Sequence, residues 1–396
     1  MRAKIRFLIA SSVLLFVLSV GWEDRLASPP PVRFAKMYLY DQTLYVSELT
    51  RGVRQLDISV PQSPVDRGLI TIQGNHDMAL QTTGDGRRIL YADSYADLVV
   101  LDVSNPSTPL TVDTLRNIFG QAFTMRWGDD VFLREWEGAQ VRRVGGMEGC
   151  MGCSETSVYE PISGPDIVAL DGGTRGSTTG RGGSMARFTI VDNSLYCVDY
   201  NQLYVFDIED PTKPRFVNRV HIGWGIETIF PYNDYLFIGG QNGMYIYSKT
   251  DPRNPRFIST YEHVRACDPV VVEGSLAYVT LRGGTRCGTV VSALHILDVA
   301  DLFKPKLLKS HPLPQPIGLD VRNKIAYVCD DSAGVYILDT NNLNDIRELA
   351  RITDKRGYDT ILHNDVLIVV SPDAVSFYNA SQPSAPVLLG RFQLPA

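Results

Sequence analysis

Cys150 and Cys153 stand in "GCMGCS" at 149–154, a spacing that serves structural zinc, dithiol redox chemistry, haem attachment or a local disulfide. Structural zinc wants a second close pair of Cys or His. The chain has no second C-x-x-C, and the segment 145–185 around this one has no histidine. Haem attachment needs a His directly after the second Cys, where Ser154 stands. A redox pair needs a βαβ context and a helix N-terminus to lower a thiol pKa, and this Gly-rich stretch offers neither. In an exported chain the pattern favours a local Cys150–Cys153 disulfide over redox or metal roles. Other chemistry is equally thinly signalled. The chain has no G-x-S-x-G, no H-E-x-x-H and no P-loop pattern, and no two of its six histidines sit at metal-ligand spacing. The paired acids Asp129–Asp130 and Asp330–Asp331 fall at strand ends and read as turn formers. No cofactor and no metal are expected.

The ends of the chain suggest where it works. Arg2, Lys4 and Arg6 precede an apolar run from Phe7 to Val20. That run is short for a bilayer span, which takes about 20 apolar residues, and reads as a signal peptide over 1–21, with an uncleaved membrane anchor as the alternative. "SPPPV" at 28–32 closes a stiff linker over 22–32. The remainder, 33–396, is expected to be one exported domain without a further membrane span. The net charge of −6 argues against nucleic acid, whose phosphates need a basic stripe.

Self-similarity sets the architecture. "TLYVSE" at 43, "RILYAD" at 88, "DVFLRE" at 130 and "SLYCVD" at 194 are variants of one motif. "YLFIGG" at 235, "LAYVTL" at 276, "IAYVCD" at 325 and "VLIVVS" at 366 continue it. Most intervals are about 40 to 49 residues, the period of a four-stranded propeller blade. After each motif comes a second strand ending in a polar turn, with Asp, Asn or Ser clustered with Pro in examples such as "DLVVLDVSNPSTP" and "QLYVFDIEDPTKP". Proline cannot donate to a ladder and Asx side chains close turns, so the strand must stop there. One strand lies upstream of each motif and one follows each turn, giving four per unit. The expectation is an all-β chain forming a single propeller of four-stranded antiparallel blades. The units run roughly 33–74, 75–117, 118–185, 186–222, 223–262, 263–312, 313–355 and 356–396, which predicts eight blades. The alternative is seven, with the third unit absorbed into an insertion at about 145–185.

"LVVLDVSNPSTP" and "LYVFDIEDPTKP" resemble the LVIVD repeat of exported bacterial cell-surface β-propellers, and the likeness extends from about residue 33 to the end. The resemblance implies the propeller fold and an envelope location. It carries no general biochemical activity. Many members look like lipoproteins, whereas this chain has no cysteine before Cys150 to carry a lipid.

In a propeller the first strand of each blade lines the central channel. Aligning those strands places Lys36, Asp77, Arg187, Glu227, Asp268 and Asp359 at one channel mouth, with His76 just before. Such charges read either as a paired, solvated lining or as a pocket for a small polar ligand or cation. Three unusual loops open on the same mouth: "LDGGTRGSTTGRGGS" at 170–184, "HIGWGIE" at 221–227 and "RGGTRCGTVVS" at 282–292. They bring Arg175, Arg181, Trp224, Arg282 and Arg286 to the face as contacts for a ligand or partner. The same geometry sets Cys267 beside Cys287, a disulfide worth about 3 kcal/mol in the chain-entropy model. Cys197 and Cys329 fall in second strands and are expected to be buried thiols. Function is therefore expected to be non-enzymatic binding of an envelope or surface protein partner, or of a small polar ligand. The alternative is a channel hydrolase or lyase acting on a carbohydrate-like substrate through Glu227 and Asp268.

Overall fold

The computed structural model describes residues 34–49, 51–119, 124–127, 130–134, 141–144, 180–263, 269–283 and 292–394. Among these residues there is no helix. Seven antiparallel sheets, each of four consecutive strands and one of them extended by a fifth, carry the chain in simple up-and-down order. Blade A spans 34–71, B 78–115, C 188–221, D 226–262, E 270–312, F 316–352 and G 359–393. The inner strand of A packs on that of B, B on C, C on D, and so on to G, which returns to A. The molecule is thus a seven-bladed propeller, and the expected eight blades are incorrect. The finding that overturns eight is the direct packing of Met78–Thr82 in blade B on Phe188–Val191 in blade C, which leaves no place in the ring between them. The third sequence unit supplies instead a separate three-stranded sheet, Thr124–Trp127, Asp130–Arg134 and Val141–Val144.

The physical basis of the ring lies between the blades. Each apolar cluster straddles a blade junction. Phe188, Ile190, Cys197 and Phe206 of C join Leu80, Ile89 and Leu98 of B, and Phe34, Leu44 and Val46 of A meet Ile368, Val370 and Phe377 of G. The recurrent aromatic of the second strand does double duty. Tyr45, Tyr91, Tyr196, Phe237, Tyr278 and Tyr327 are all buried. A buried phenol needs a partner for its hydroxyl, and here it reaches into the next blade. Tyr91 donates to Pro211 O at 2.7 Å and Tyr196 to Pro252 O at 2.9 Å. The turn after the third strand is closed by an Asx side chain accepting an N–H two residues on, as at Asp207 (Glu209 N, 3.0 Å) and Asn379 (Ser381 N, 3.0 Å). Every outer strand then bulges at its third residue, breaking register with its neighbour in all seven blades. Blades A and G are each made from one contiguous stretch, so the ring closes by side-chain packing and the Phe34 N–Pro372 O bond (2.9 Å), not by a shared strand.

Candidate functional site

The face on which the inner strands begin is called upper here. The 221–227 link and both described ends of the 282–292 loop open on it, as their hairpin positions require. Its central feature is a piece of the chain's own backbone. Residues 180–185 run antiparallel to Phe34–Tyr40, pairing Gly182 with Tyr38 and Arg181 with Leu39. This makes a fifth, innermost strand on blade A. Because Phe34–Tyr40 descends from the upper face, the added strand enters the channel from below and rises to the upper mouth before blade C begins. The Gly-rich loop expected to lie across the upper mouth therefore contributes its end, 180–184, to the channel itself.

That segment meets most of the charges read from the sequence. Ser184 Oγ donates to Asp359 Oδ1 (2.8 Å) and accepts from Leu319 N–H (2.8 Å). Met185 N–H donates to Asp359 Oδ2 (3.2 Å), and Lys36 Nζ donates to Met185 O. Arg187 N–H donates to Asp77 Oδ2, while Arg187 Nε donates to Glu227 O at 3.2 Å. Lower in the channel Arg181 pairs with the buried carboxylate of Asp320, which also accepts Leu362 N–H at 2.7 Å. A glycine is required at 183: a Cβ there would stand 2.1 Å from Asp359 Oδ2. Lys36, Asp77, Arg187, Glu227 and Asp359 are thus gathered at one level, the lysine within the fields of the other four. Burial pushes Asp77 and Asp359 up to about 6 and Lys36 down to about 8.

The remaining expected residues have different surroundings. His76 is buried with Nδ1 3.0 Å from Asp93 Oδ2, and the other Asp93 oxygen accepts the His76 and Asp77 N–H groups (2.7 and 3.0 Å), so this group holds the link into blade B. Glu227 is half-buried and accepts from Gln241 Nε2 at 3.1 Å. Arg282 pairs with Asp331 at 2.7 Å on the upper face. Trp224 is 55% exposed, with Tyr200 (45% exposed) edge-on at 5.9 Å and His221 at 6.1 Å. Gly225, at φ +71°, lets the link turn directly after the indole. Asp268, Arg175, Arg286 and the pairs Cys150–Cys153 and Cys267–Cys287 lie outside the described residues. Cys197 and Cys329 are buried free thiols, pushed up by burial. Among the described residues no group of three His, Cys, Asp or Glu side chains is placed to hold a metal.

Two channel residues escape the strand-start alignment. Asp320 lies mid-strand in "PIGLDVR", where a lone acid in an apolar run is the signal. Ser184 is inconspicuous in its polar loop, and nothing local marks it.

The LVIVD repeat family model matches residues 90–115, in blade B, and 182–221, from the end of the added channel strand through blade C. No curated protein matches the sequence. Among solved structures, the periplasmic gluconolactonase PpgL of Pseudomonas aeruginosa aligns with TM-score 0.54 at 10% identity, covering 91% of this chain and 96% of that one. The computationally designed Ika8 protein aligns with TM-score 0.52 at 9% identity, covering 92% and 88%. A functionally unknown protein from Desulfotomaculum acetoxidans gives 0.50 at 12% identity, covering 91% and 99%. At these identities the likeness is one of fold.

Proposed function

We propose that this chain is an exported, non-enzymatic propeller whose upper face binds a protein partner at the cell envelope. The basic and apolar N-terminal stretch, Arg2 to Val20, supports export. The observation that carries the binding role is the exposed Trp224, flanked edge-on by Tyr200 and His221 on the face where the enlarged loops open. Indole and phenol side chains dominate binding hot spots because they bury much area while ordering few torsions. A protein partner fits better than a small ligand in the channel, because Lys36 and Asp359 are engaged by residues 184–185 and Asp77 by Arg187.

The test is capture from the native envelope by the wild-type protein and by Trp224→Ala, with thermal unfolding as control. A hot-spot residue contributes at least about 2 kcal/mol, roughly thirtyfold in affinity. The expected result is a discrete captured partner, lost in the variant at unchanged unfolding temperature. Undiminished capture by Trp224→Ala refutes the assignment. So does turnover in a lactone or glycoside screen that Glu227→Gln abolishes in a folded protein.

A further inference from the structure

One junction of the ring departs from its neighbours. In blades B and C the buried tyrosine of the second strand donates to a turn carbonyl of the next blade, at Pro211 and Pro252. Blade B carries Pro106 at the matching place in "SNPSTP". Tyr45 of blade A is fully buried, yet its hydroxyl finds no acceptor among the described residues. The group facing it is a second donor, the Arg88 guanidinium. Pro106 instead lines a cavity of about 270 Å³ between blades A and B. Its walls come from the turns and strand starts of the lower face, on the opposite side from Trp224.

Donors without acceptors gather in this cavity. Gln55 lines it and is 1% exposed, and its Nε2 has no hydrogen-bond partner among the described residues. Buried polar side chains nearly always have one, and an amide nitrogen has two protons to donate. Arg88 stands in the wall with its guanidinium 5.9 Å from the Tyr40 ring centroid. The acids near its chain position, Asp85 and Asp102, lie 3.0 and 4.0 Å from Arg87. Arg88 itself has no ion pair among the described residues.

Two acids also line the cavity. Asp57 is engaged on both oxygens, by Arg67 Nη2 at 2.7 Å and by Ser59 N–H at 3.0 Å, which holds it down to about 2. Its charge is therefore balanced by Arg67. Asp41 is exposed on the turn between the first two strands of blade A. What the walls leave unmatched is one guanidinium with a buried amide donor, and one exposed acceptor.

We propose that the junction of blades A and B binds a small hydroxy carboxylic acid. Its carboxylate supplies the acceptor that Arg88 and Gln55 lack, and a guanidinium can hold a carboxylate with two hydrogen bonds. Its hydroxyls donate to Asp41 and meet Thr43 and Ser59. Asp41 disfavours an anion that has no such donor, because it would meet like charge. The volume equals about nine waters at about 30 Å³ each, so the ligand has on the order of ten non-hydrogen atoms. The site lies on the face away from Trp224, and partner capture there is independent of it.

Calorimetric titration of the whole protein tests this with a matched set of four-carbon probes. These are threonate, butanoate, which lacks the hydroxyls, and erythritol, which lacks the acid. Threonate is expected to bind with Kd below about 1 mM, at least about tenfold tighter than butanoate, with no binding of erythritol. Arg88→Gln and Gln55→Leu should each weaken threonate at least about tenfold, the effect of losing one charge-assisted hydrogen bond. Gln55→Leu removes an unpartnered buried amide, so its unfolding temperature should be no lower than that of wild type. It therefore decides the matter even where Arg88→Gln fails to fold. Lys304→Gln, on the lower face of blade E, should bind threonate as wild type does. The proposal is overturned by absent threonate binding, by binding that neither cavity variant weakens, or by butanoate or inorganic phosphate binding as tightly. Tighter binding of threonine than of threonate would overturn it in favour of an amino acid.

Discussion

Gly183→Ala is the most direct probe of the strand inside the channel. The new methyl carbon would stand 2.1 Å from Asp359 Oδ2, 2.9 Å from its Cγ and 3.2 Å from Met37 Cε. Asp359 is fully buried and cannot swing aside, since Ser184 Oγ (2.8 Å) and Thr360 N–H (2.9 Å) hold Oδ1. Overpacking of this kind costs about 1–3 kcal/mol. If the segment retreats instead, the Met185 N–H bond to the carboxylate goes, and a hydrogen bond to a charged group is worth about 1.5–3 kcal/mol. Against both, replacing Gly by Ala restricts the unfolded chain and returns about 0.4–1 kcal/mol. The net expectation is a loss of about 1–2.5 kcal/mol in urea unfolding, with faster hydrogen exchange confined first to residues 181–187. A stability within about 0.5 kcal/mol of wild type, the usual range for surface substitutions, would show that the segment is not seated against Asp359, and the reading of a filled channel would fall.

Three further outcomes follow from the site. Asp359 has a folded pKa of about 6 against about 3.9 unfolded, so the folded state holds the proton more tightly; its contribution is full below about pH 4 and is lost as pH rises through 6. The stability of wild type relative to Asp359→Asn should therefore drop by about 2 kcal/mol between pH 4 and 7 in urea titrations; a pH-independent difference would remove Asp359 from its buried setting. Cys197 and Cys329 should resist alkylation in the native protein and react once it is unfolded, both being buried with raised pKa; prompt native labelling at either would contradict the packing. Mass mapping without reductant should find Cys150 linked to Cys153 and Cys267 to Cys287, and free thiols or bound zinc at 150 and 153 would overturn the first pairing.

The four-strand unit was legible because its signals are local: an apolar second strand with a buried aromatic, a third strand, and an Asx-x-Pro stop. The blade number was not legible, because it depends on which inner strands touch. "DVFLRE" at 130 has the spacing and strand of a repeat, but its neighbours "WEGAQVRRVGG" bring charge where blades B to G bring an apolar third strand. Aligning strand starts groups Lys36, Asp77, Arg187, Glu227 and Asp359, and the structure holds these side chains at one level of the channel. Their partner was hidden, since a glycine-rich stretch carries no periodicity and earns its conformation only from the walls it touches.

The threaded strand also constrains how the molecule can be assembled. Its ties reach back to Met37 and Leu80 and forward to Leu319, Asp320 and Asp359. On a chain made from the N-terminus, the segment emerges after only two blades, and its forward partners lie more than a hundred residues downstream. Blades A to F would form an open arc with one wall of the channel missing. Contacts this distant in sequence are slow to form and leave apolar edges exposed meanwhile. Sealing the channel and joining G to A therefore become a single late event. A chain cut short within blade G forfeits both at once and is not left as a propeller one blade smaller.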